Sequence, residues 1–370
     1  LYPVLPIFLT VTLGTPVALV GVIEGVAEGT SGTSKVASGW LSDRLPRRRP
    51  LVTAGYGLAA LGKLLLALSF VWPQALLARF SDRLGKGTRT APRDAMLADS
   101  SLPGARGRAF GFHRALDTTG AVLGPLIALA MVSALGEGRL RLIFGLAVLP
   151  ALLSVALVGF ARERARPPVK RPRGAGKIDL SGAPAGYWLF LGVSLIFAFG
   201  NSSDAFLLLR AGDLGLGLRA IILTYVVYNA AYAALSYPAG LLADRAGPRP
   251  VLLAGFLLFG LVYLGFAWTD GQGMVWPLFA AYGAVLALTE GVGRAVAAEL
   301  VPAERRGSFL GVYHSGIGLT AVAASVLAGL LWDRVGPAAP FAVGAATGLA
   351  AALLLAAMPA RSFRRAEVAA

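Results

Sequence analysis

The chain has 370 residues, of which 56% are hydrophobic and only 14% charged, and its mean hydropathy is +0.69. A soluble domain carries about 25% charged residues, so neither an ordinary soluble domain nor a disordered chain is compatible with these values. The absence of Cys excludes disulfides and thiolate metal sites, and two His and four Met leave little for a soft-metal centre. Twelve spanning helices of about 20 residues with short loops need roughly 330 residues, which matches the length and leaves no room for a sizeable soluble domain.

Residues 1–13 are apolar but too short to span, and no Met or basic region marks them as a signal peptide. They read as the end of a first helix that begins outside this chain. Continuity of apolar residues between Gly, Pro and charged breaks predicts helices at about 17–40, 51–71, 75–98, 108–133 and 141–160. A basic, Pro-rich stretch follows from Arg162 to Lys177. Six more apolar segments lie at about 185–209, 219–243, 251–268, 275–299, 308–331 and 338–358. The predicted fold is an all-α integral membrane protein with twelve transmembrane helices as two six-helix repeats. Its divisions are an N-terminal bundle (1–161), a cytoplasmic linker (162–184), a C-terminal bundle (185–360) and a cytoplasmic tail (361–370).

The net charge of +15 follows from loop placement. Alternate loops hold 20 Lys and Arg, among them Arg44, Arg47, Arg106, Arg108, Arg245, Arg249, Arg305 and Arg306. The opposite loops hold four: Arg139, Arg141, Arg219 and Arg334. By the positive-inside rule the first set, the linker and both ends are cytoplasmic. The basic balance is thereby used up, and no nucleic-acid partner is expected.

The halves repeat at an offset of about 200 residues. Gly39-Trp-Leu-Ser-Asp43-Arg44-Leu-Pro-Arg47-Arg48 is answered by Gly240-Leu-Leu-Ala-Asp244-Arg245-Ala-Gly-Pro-Arg249. Arg93 matches Arg294, and the two His, His113 and His314, occupy corresponding places. Pro103, Arg106, Gly107 and Gly111 match Pro302, Arg306, Gly307 and Gly311. Parallel six-helix repeats place a substrate site between the halves near mid-membrane.

At these residues the chain resembles the major facilitator superfamily of secondary transporters over essentially its whole length. The paired loops resemble the family's G-x-x-x-D-R-x-G-R-R element, with Pro46 replacing Gly in the first copy and Pro248 replacing a basic residue in the second. Arg83-Leu-Gly-Lys86-Gly87 resembles R-x-x-Q-G, with Lys for Gln. Gly120-Ala-Val-Leu-Gly124-Pro125 resembles the start of the motif of drug/proton antiporters, without the glycine pair that follows it there. The resemblance implies alternating access, and a cytoplasmic latch of Gly39, Asp43, Arg44 and Arg47 that favours the outward-open state, with Asp244 and Arg245 in its second copy. A plain topogenic basic turn is the alternative.

Ions inside apolar segments cost at least about 2.5 kcal/mol each at mid-membrane, so they face a partner or a wet cavity. Segment 75–98 carries Arg79, Asp82, Arg83, Lys86, Arg89 and Arg93, most of them on one stripe; segment 17–40 carries Glu24, Glu28 and Lys35, also on one stripe. Counted from the outer ends, Glu24 falls level with Asp82 and Arg83, and Glu28 with Lys86. These are candidate substrate or proton residues, Glu28 first among the carboxylates, with a structural ion network as the alternative. Further candidates are Glu290 with Arg294, one turn apart, and Asp204 beside Asn201. Tyr228 and Asn229 share a face with Tyr225 and Tyr232 and suit an amphipathic ligand or simple packing. Gly120 and Gly124 permit close helix contact, and Pro125 adds a bend.

Enzyme signals are poor. Gly174-Ala-Gly-Lys177 lacks the preceding Gly and strand of a phosphate loop. The sequence therefore reads as a proton-coupled secondary transporter of the cell membrane, not an enzyme, with no cofactor or metal. It is expected to act as a monomer in a prokaryotic cytoplasmic membrane, with a small-molecule substrate and protons as partners. Export of small amphipathic compounds leads; uptake or exchange of an organic anion, suggested by the cationic segment 75–98, is the alternative.

Overall fold

Where apolar runs meet Gly, Pro or basic turns, the helices start and stop close to the predicted places. The computed structural model describes residues 8–9, 13–14, 17–102, 104–135, 139–160, 163, 180, 183–202 and 204–359. Among these there are thirteen α-helices and no strand. They are α1 (Val17–Arg44), α2 (Arg49–Ala67), α3 (Trp72–Ser100), α4 (Arg106–Leu135), α5 (Leu140–Leu146), α6 (Val148–Phe160) and α7 (Ala185–Gly200). Then come α8 (Ala205–Asp213), α9 (Leu218–Ala246), α10 (Pro248–Trp268), α11 (Gln272–Glu299), α12 (Arg306–Arg334) and α13 (Ala339–Ala357). Pro near the start of α2, α10 and α13 fits a first turn whose N–H groups have no helical acceptor. Gly247, at φ +89°, turns the chain between α9 and α10, a conformation L side chains rarely adopt.

Two predicted helices are divided. Residues 141–160 split at Ala147, because Pro150 offers no N–H to the Leu146 carbonyl. Residues 185–209 split at Asn201–Asp204, where polar side chains compete with the backbone. The first helix predicted within 1–13, the linker and the tail lie almost wholly outside the described residues.

Among the described residues six helical segments are long and apolar enough to cross a membrane, Arg141–Phe160 (α5 with α6) among them, and Ala185–Gly200 is a shorter apolar one. The 28 to 30 residues of α1, α3, α4 and α9 make each over about 40 Å long at 1.5 Å per residue, more than the hydrocarbon core. Helix α6 has no buried residue, and its Leu149, Leu153 and Leu157 are each about 60% exposed. An apolar helix stripped of cover in this way is tolerated only against hydrocarbon.

The chain divides into two compact units, and each combines parts of both sequence halves. One unit comprises residues 1–96, 123–180 and 303–315. Its core joins Phe8, Leu9, Ile23, Leu66, Ala75, Ala78, Ile143 and Phe144, with Phe8 edge-on to Phe144 at 5.0 Å. In lipid there is no hydrophobic drive between helices, so close backbone packing takes over. Helices α2 and α3 cross through Gly55, Gly62 and Gly85, and a Cβ on Gly85 would strike the Gly55 carbonyl and the Ala59 amide nitrogen. Gly85→Val should therefore lower stability by about 1–3 kcal/mol, read as a drop in the thermal unfolding midpoint of the detergent-solubilised protein; an unchanged midpoint would show that this crossing yields.

The other unit comprises residues 97–122, 181–302 and 316–370. Its core is aromatic: Phe197 stacks on Phe256 at 4.3 Å, and Phe266 meets Phe279 edge-on and stacks on Phe341. Helix α9 lies against α11, where Gly283 approaches the Tyr228 carbonyl with no room for a side chain. That approach fixes the register of the tyrosines discussed next.

Candidate functional site

In the second unit, four helix segments converge on a cavity of about 270 Å³. Helix α4 contributes Arg114, Asp117, Thr118 and Ala121, and α9 contributes Tyr225, Tyr228, Asn229 and Tyr232. From α11 come Tyr282, Leu286 and Glu290. The α4 and α9 sets follow the i, i+3, i+4, i+7 spacing of one helix face, and the α11 set steps by four along one face. The fourth wall is the break between α7 and α8, which carries Asn201 and Asp204.

The break leaves Asp204 at the head of α8, with its carboxylate turned to two phenols. Tyr228 donates to Oδ2 at 2.8 Å and Tyr282 donates to Oδ1 at 2.7 Å. Tyr263 donates to Asn201 Oδ1 at 3.4 Å. Glu290 is held on one oxygen by Arg294 at 2.8 Å and by Arg114 at 3.3 Å. Arg114 also pairs with Asp117 at 3.0 Å, donates to the Tyr232 hydroxyl, and lies 5.0 Å from the centre of the Tyr232 ring. The cavity lining thus carries three carboxylates and one guanidinium. A charge-rich site of this size, walled by phenols, can hold a small amphipathic molecule and exchange protons with it.

The cavity brings together Asp204, Tyr228, Asn229 and Glu290 from the sequence candidates, with Arg294 behind Glu290. Sequence reasoning missed Arg114 and Tyr282. The available signal was spacing: Tyr282 lies two turns before Glu290, and Arg114 lies one turn before Asp117.

In the first unit, the Asp82 carboxylate meets Lys63 at 3.2 Å and Arg79 at 3.7 Å. It is part of an ion network whose Lys63 was not singled out. Arg83 is half-buried and Lys86 exposed. The side chains of Glu24 and Glu28 lie outside the described residues. The expected depths need correction: Ser34 packs against Gly87 and Gly39 against Ala91. In that register residue 28 falls level with Ser81 and Asp82, about a turn from Lys86.

Two matching contacts appear at the Lys/Arg-rich helix ends. In the first unit, Asp43 accepts from the backbone N–H of Gly307 at 2.9 Å and of Ser308 at 2.7 Å, the first turn of α12. In the second unit, Asp244 accepts from Gly107 at 2.7 Å and Arg108 at 2.9 Å, the first turn of α4. A carboxylate at a helix N-terminus satisfies orphan donors and meets the positive end of the helix dipole. Close approach requires glycine: Gly39 abuts Gly307, and Gly240 abuts Gly107, so that a Cβ on either would sit on the facing carbonyl.

The copies differ in their arginines. Arg48, wholly buried, donates to Asp43 Oδ1 at 2.7 Å; Arg44 instead stacks on Trp40 at 3.7 Å, and Arg47 is exposed. In the second copy Arg245 is exposed, and Arg108 lies 3.9 Å from Asp244. Glu163 was also missed: it accepts from the backbone N–H groups of Arg48 at 2.7 Å and Arg49 at 2.9 Å, heading α2.

The glycines of the antiporter-like stretch do not make the close contact predicted for them. A Cβ on Gly120 or Gly124 would meet nothing within 4 Å. In α4 that role falls to Gly107 and Gly111, the latter against the Ser236 carbonyl. The Pro125 side chain lies outside the described residues.

With this geometry, comparison with known proteins gives a consistent result. The family model of the Major Facilitator Superfamily matches residues 1–211 and 189–369. An MFS-type transporter of Methanocaldococcus jannaschii, MJ1317, is 34% identical over 95% of this chain and 89% of its own. The multidrug resistance protein MdtH of Aeromonas hydrophila is 26% identical over 93% and 87%. Among solved structures, the proton:xylose symporter XylE matches with a TM-score of 0.76 at 16% identity, covering 97% of this chain and 92% of its own. The E. coli fucose:proton symporter FucP matches at 0.75 and 12%, covering 91% and 90%; both share the fold. The chain belongs to the major facilitator superfamily and is a multi-pass membrane transporter.

Proposed function

We propose that the protein is a proton-coupled secondary active transporter that exports small amphipathic compounds, cations above all. The observation that carries this reading is the cavity of the second unit, where three carboxylates face one guanidinium among four tyrosines. Carboxylates and ring faces attract a cation with an apolar body, and the surplus of acid disfavours an organic anion there. Asp204 is the coupling carboxylate in this reading, because both of its oxygens are held by neutral phenols that can part when substrate enters. Glu290, held by two arginines, anchors the site. Protons and substrate then compete for one negative group, which is what antiport requires.

The architecture proposed with it is twelve spanning helices in two repeats, residues 1–161 and 185–360. Residues 162–184 form a cytoplasmic linker and 361–370 a cytoplasmic tail. The offset of about 200 residues between the Asp43 and Asp244 contacts supports the repeat, and the loop charge tally supports the orientation. The Asp43 contact is then the cytoplasmic latch. Single cysteines placed at Ala165 in the linker should resist impermeant maleimides in intact cells and react after lysis. Labelling from outside would reverse the orientation.

The substrate class is tested by counterflow in proteoliposomes. Labelled tetraphenylphosphonium should exchange with internal unlabelled cation faster than in protein-free vesicles, and a lipophilic anion such as tetraphenylborate should not compete. Competition by the anion alone would favour the organic-anion alternative.

A further inference from the structure

Asp204 stands where a helix cap would, directly before the first turn of α8, yet among the described residues its side chain caps no amide of that helix. An Asp in this place ordinarily accepts from the second or third amide of the helix it heads. Here both oxygens go to Tyr228 and Tyr282 instead. Helix α8 has nine residues, and a helix that short is marginal without tertiary contacts. Whatever fixes α8 therefore fixes Asp204, and the fixing contact lies at the other end.

That contact is Arg210. Its Nε donates to the Phe266 carbonyl at 3.0 Å and its Nη2 to the Thr269 carbonyl at 3.0 Å, while Nη1 pairs with Asp213, one turn on. Carbonyls at the end of a helix have no helical amide to accept from and carry the negative end of the dipole, so a forked cation over the end of α10 meets both needs. The end of α10 is a firm anchor, since Phe266 is wholly buried, edge-on to Phe279 and stacked on Phe341. Arg210 is itself only 8% exposed.

Helix α8 carries this constraint as one piece. Leu207 and Ala211 are buried with Arg210, and Asp204, Leu207 and the 210–211 pair follow the three- and four-residue steps of one helix face. The last turn is closed by the Leu216 N–H on the Ala211 carbonyl at 3.1 Å, with Gly215 at φ +91°. Gln272, at the start of α11, donates to the Gly215 carbonyl at 3.2 Å. Arg210 follows Asp204 by six residues, about 9 Å at 1.5 Å per residue. A slide or rotation of α8 at the arginine thus moves the carboxylate too, and phenol bonds of 2.7 and 2.8 Å tolerate only a few tenths of an ångström.

We infer that Arg210 is the positioning residue of Asp204: by pinning α8 to the end of α10 it holds the carboxylate between Tyr228 and Tyr282. The inference rests on the reading of Asp204 as coupling carboxylate for its consequence in transport, but the placement is tested without transport.

Thermal unfolding midpoints of the detergent-solubilised full-length protein are measured for Arg210→Gln, for Tyr228→Phe and for the double variant. Arg210→Lys is run beside Arg210→Gln in case the glutamine variant does not fold, because lysine keeps the charge at the end of α10 without forking over two carbonyls. None of the acceptors of Arg210 is shared with Tyr228, so an arginine that only stabilises the fold gives losses that add. With Arg210 placing Asp204, Tyr228→Phe should lower the midpoint by a few degrees in the parent and by roughly half of that or less in either Arg210 variant, where the phenol bond is already loosened. Additive losses in both cycles would overturn the placement. In proteoliposomes Arg210→Lys should lower pH-driven accumulation of tetraphenylphosphonium about tenfold and downhill exchange by about twofold or less. Accumulation at the parent's level in Arg210→Lys, alongside its loss in Asp204→Asn, would also overturn the inference. Non-additive midpoints in a protein whose accumulation does not depend on Asp204 would uphold the placement and remove the coupling role alone.

Discussion

Asp204→Asn should abolish uphill, pH-gradient-driven accumulation of tetraphenylphosphonium and leave downhill exchange largely intact. The amide still accepts from one phenol, Tyr228 or Tyr282, so the α7–α8 break and the cavity wall survive. What is lost is the group that changes charge. Without it, occupancy by substrate no longer displaces a proton, and the coupling free energy, typically 1–3 kcal/mol between sites, vanishes. The experiment includes Glu28→Gln, because that carboxylate heads the candidates drawn from sequence. Loss of gradient-driven transport in Glu28→Gln alone, with Asp204→Asn unaffected, would move the coupling to α1.

Asp43→Asn should weaken the latch far more than Asp244→Asn. Asp43 accepts from two backbone amides and from Arg48, and all of these partners are buried. A hydrogen bond to a charged group is worth about 1.5–3 kcal/mol, so a shift of about 2–3 kcal/mol in the gating equilibrium is expected. Asp244 also accepts from two amides, but its Arg108 lies 3.9 Å away with about half its side chain exposed, where pairs are worth about 1 kcal/mol or less. Maleimide labelling of a cysteine at Ser308 should rise roughly tenfold or more in Asp43→Asn and little in Asp244→Asn. Equal labelling in both variants and in the parent would reduce the Asp43 loop to a topogenic turn.

The apolar runs and their Gly, Pro and Arg punctuation were enough to place the helices within about a turn. The offset between the Asp43 and Asp244 loops was legible because both copies use the same Gly and Asp to approach a helix N-terminus. The details of each site were less legible. Which arginine folds back on Asp43 depends on the turn after α1, and the resemblance pointed to Arg44 and Arg47 where the geometry uses Arg48. Glycine spacing marked Gly120 and Gly124, but only the facing surface decides where helices touch, and that surface meets Gly107 and Gly111. Asp82 was read as a substrate or proton residue or as part of an ion network; α2 brings Lys63 to it, a partner that Lys63's place inside an apolar run did not suggest. Tyr282 was hidden because an aromatic residue inside an apolar helix reads as packing. Asp204 was visible as an interruption in an apolar segment, which is the strongest kind of signal a membrane sequence offers.

The most direct measurement is of the proton itself. Proteoliposomes loaded with a pH-sensitive dye, under potassium and valinomycin to clamp the potential, receive a concentration step of tetraphenylphosphonium. The account predicts an immediate proton movement opposite to the cation, absent in Asp204→Asn and in protein-free vesicles. Cation uptake by the parent protein with no accompanying proton movement would contradict it.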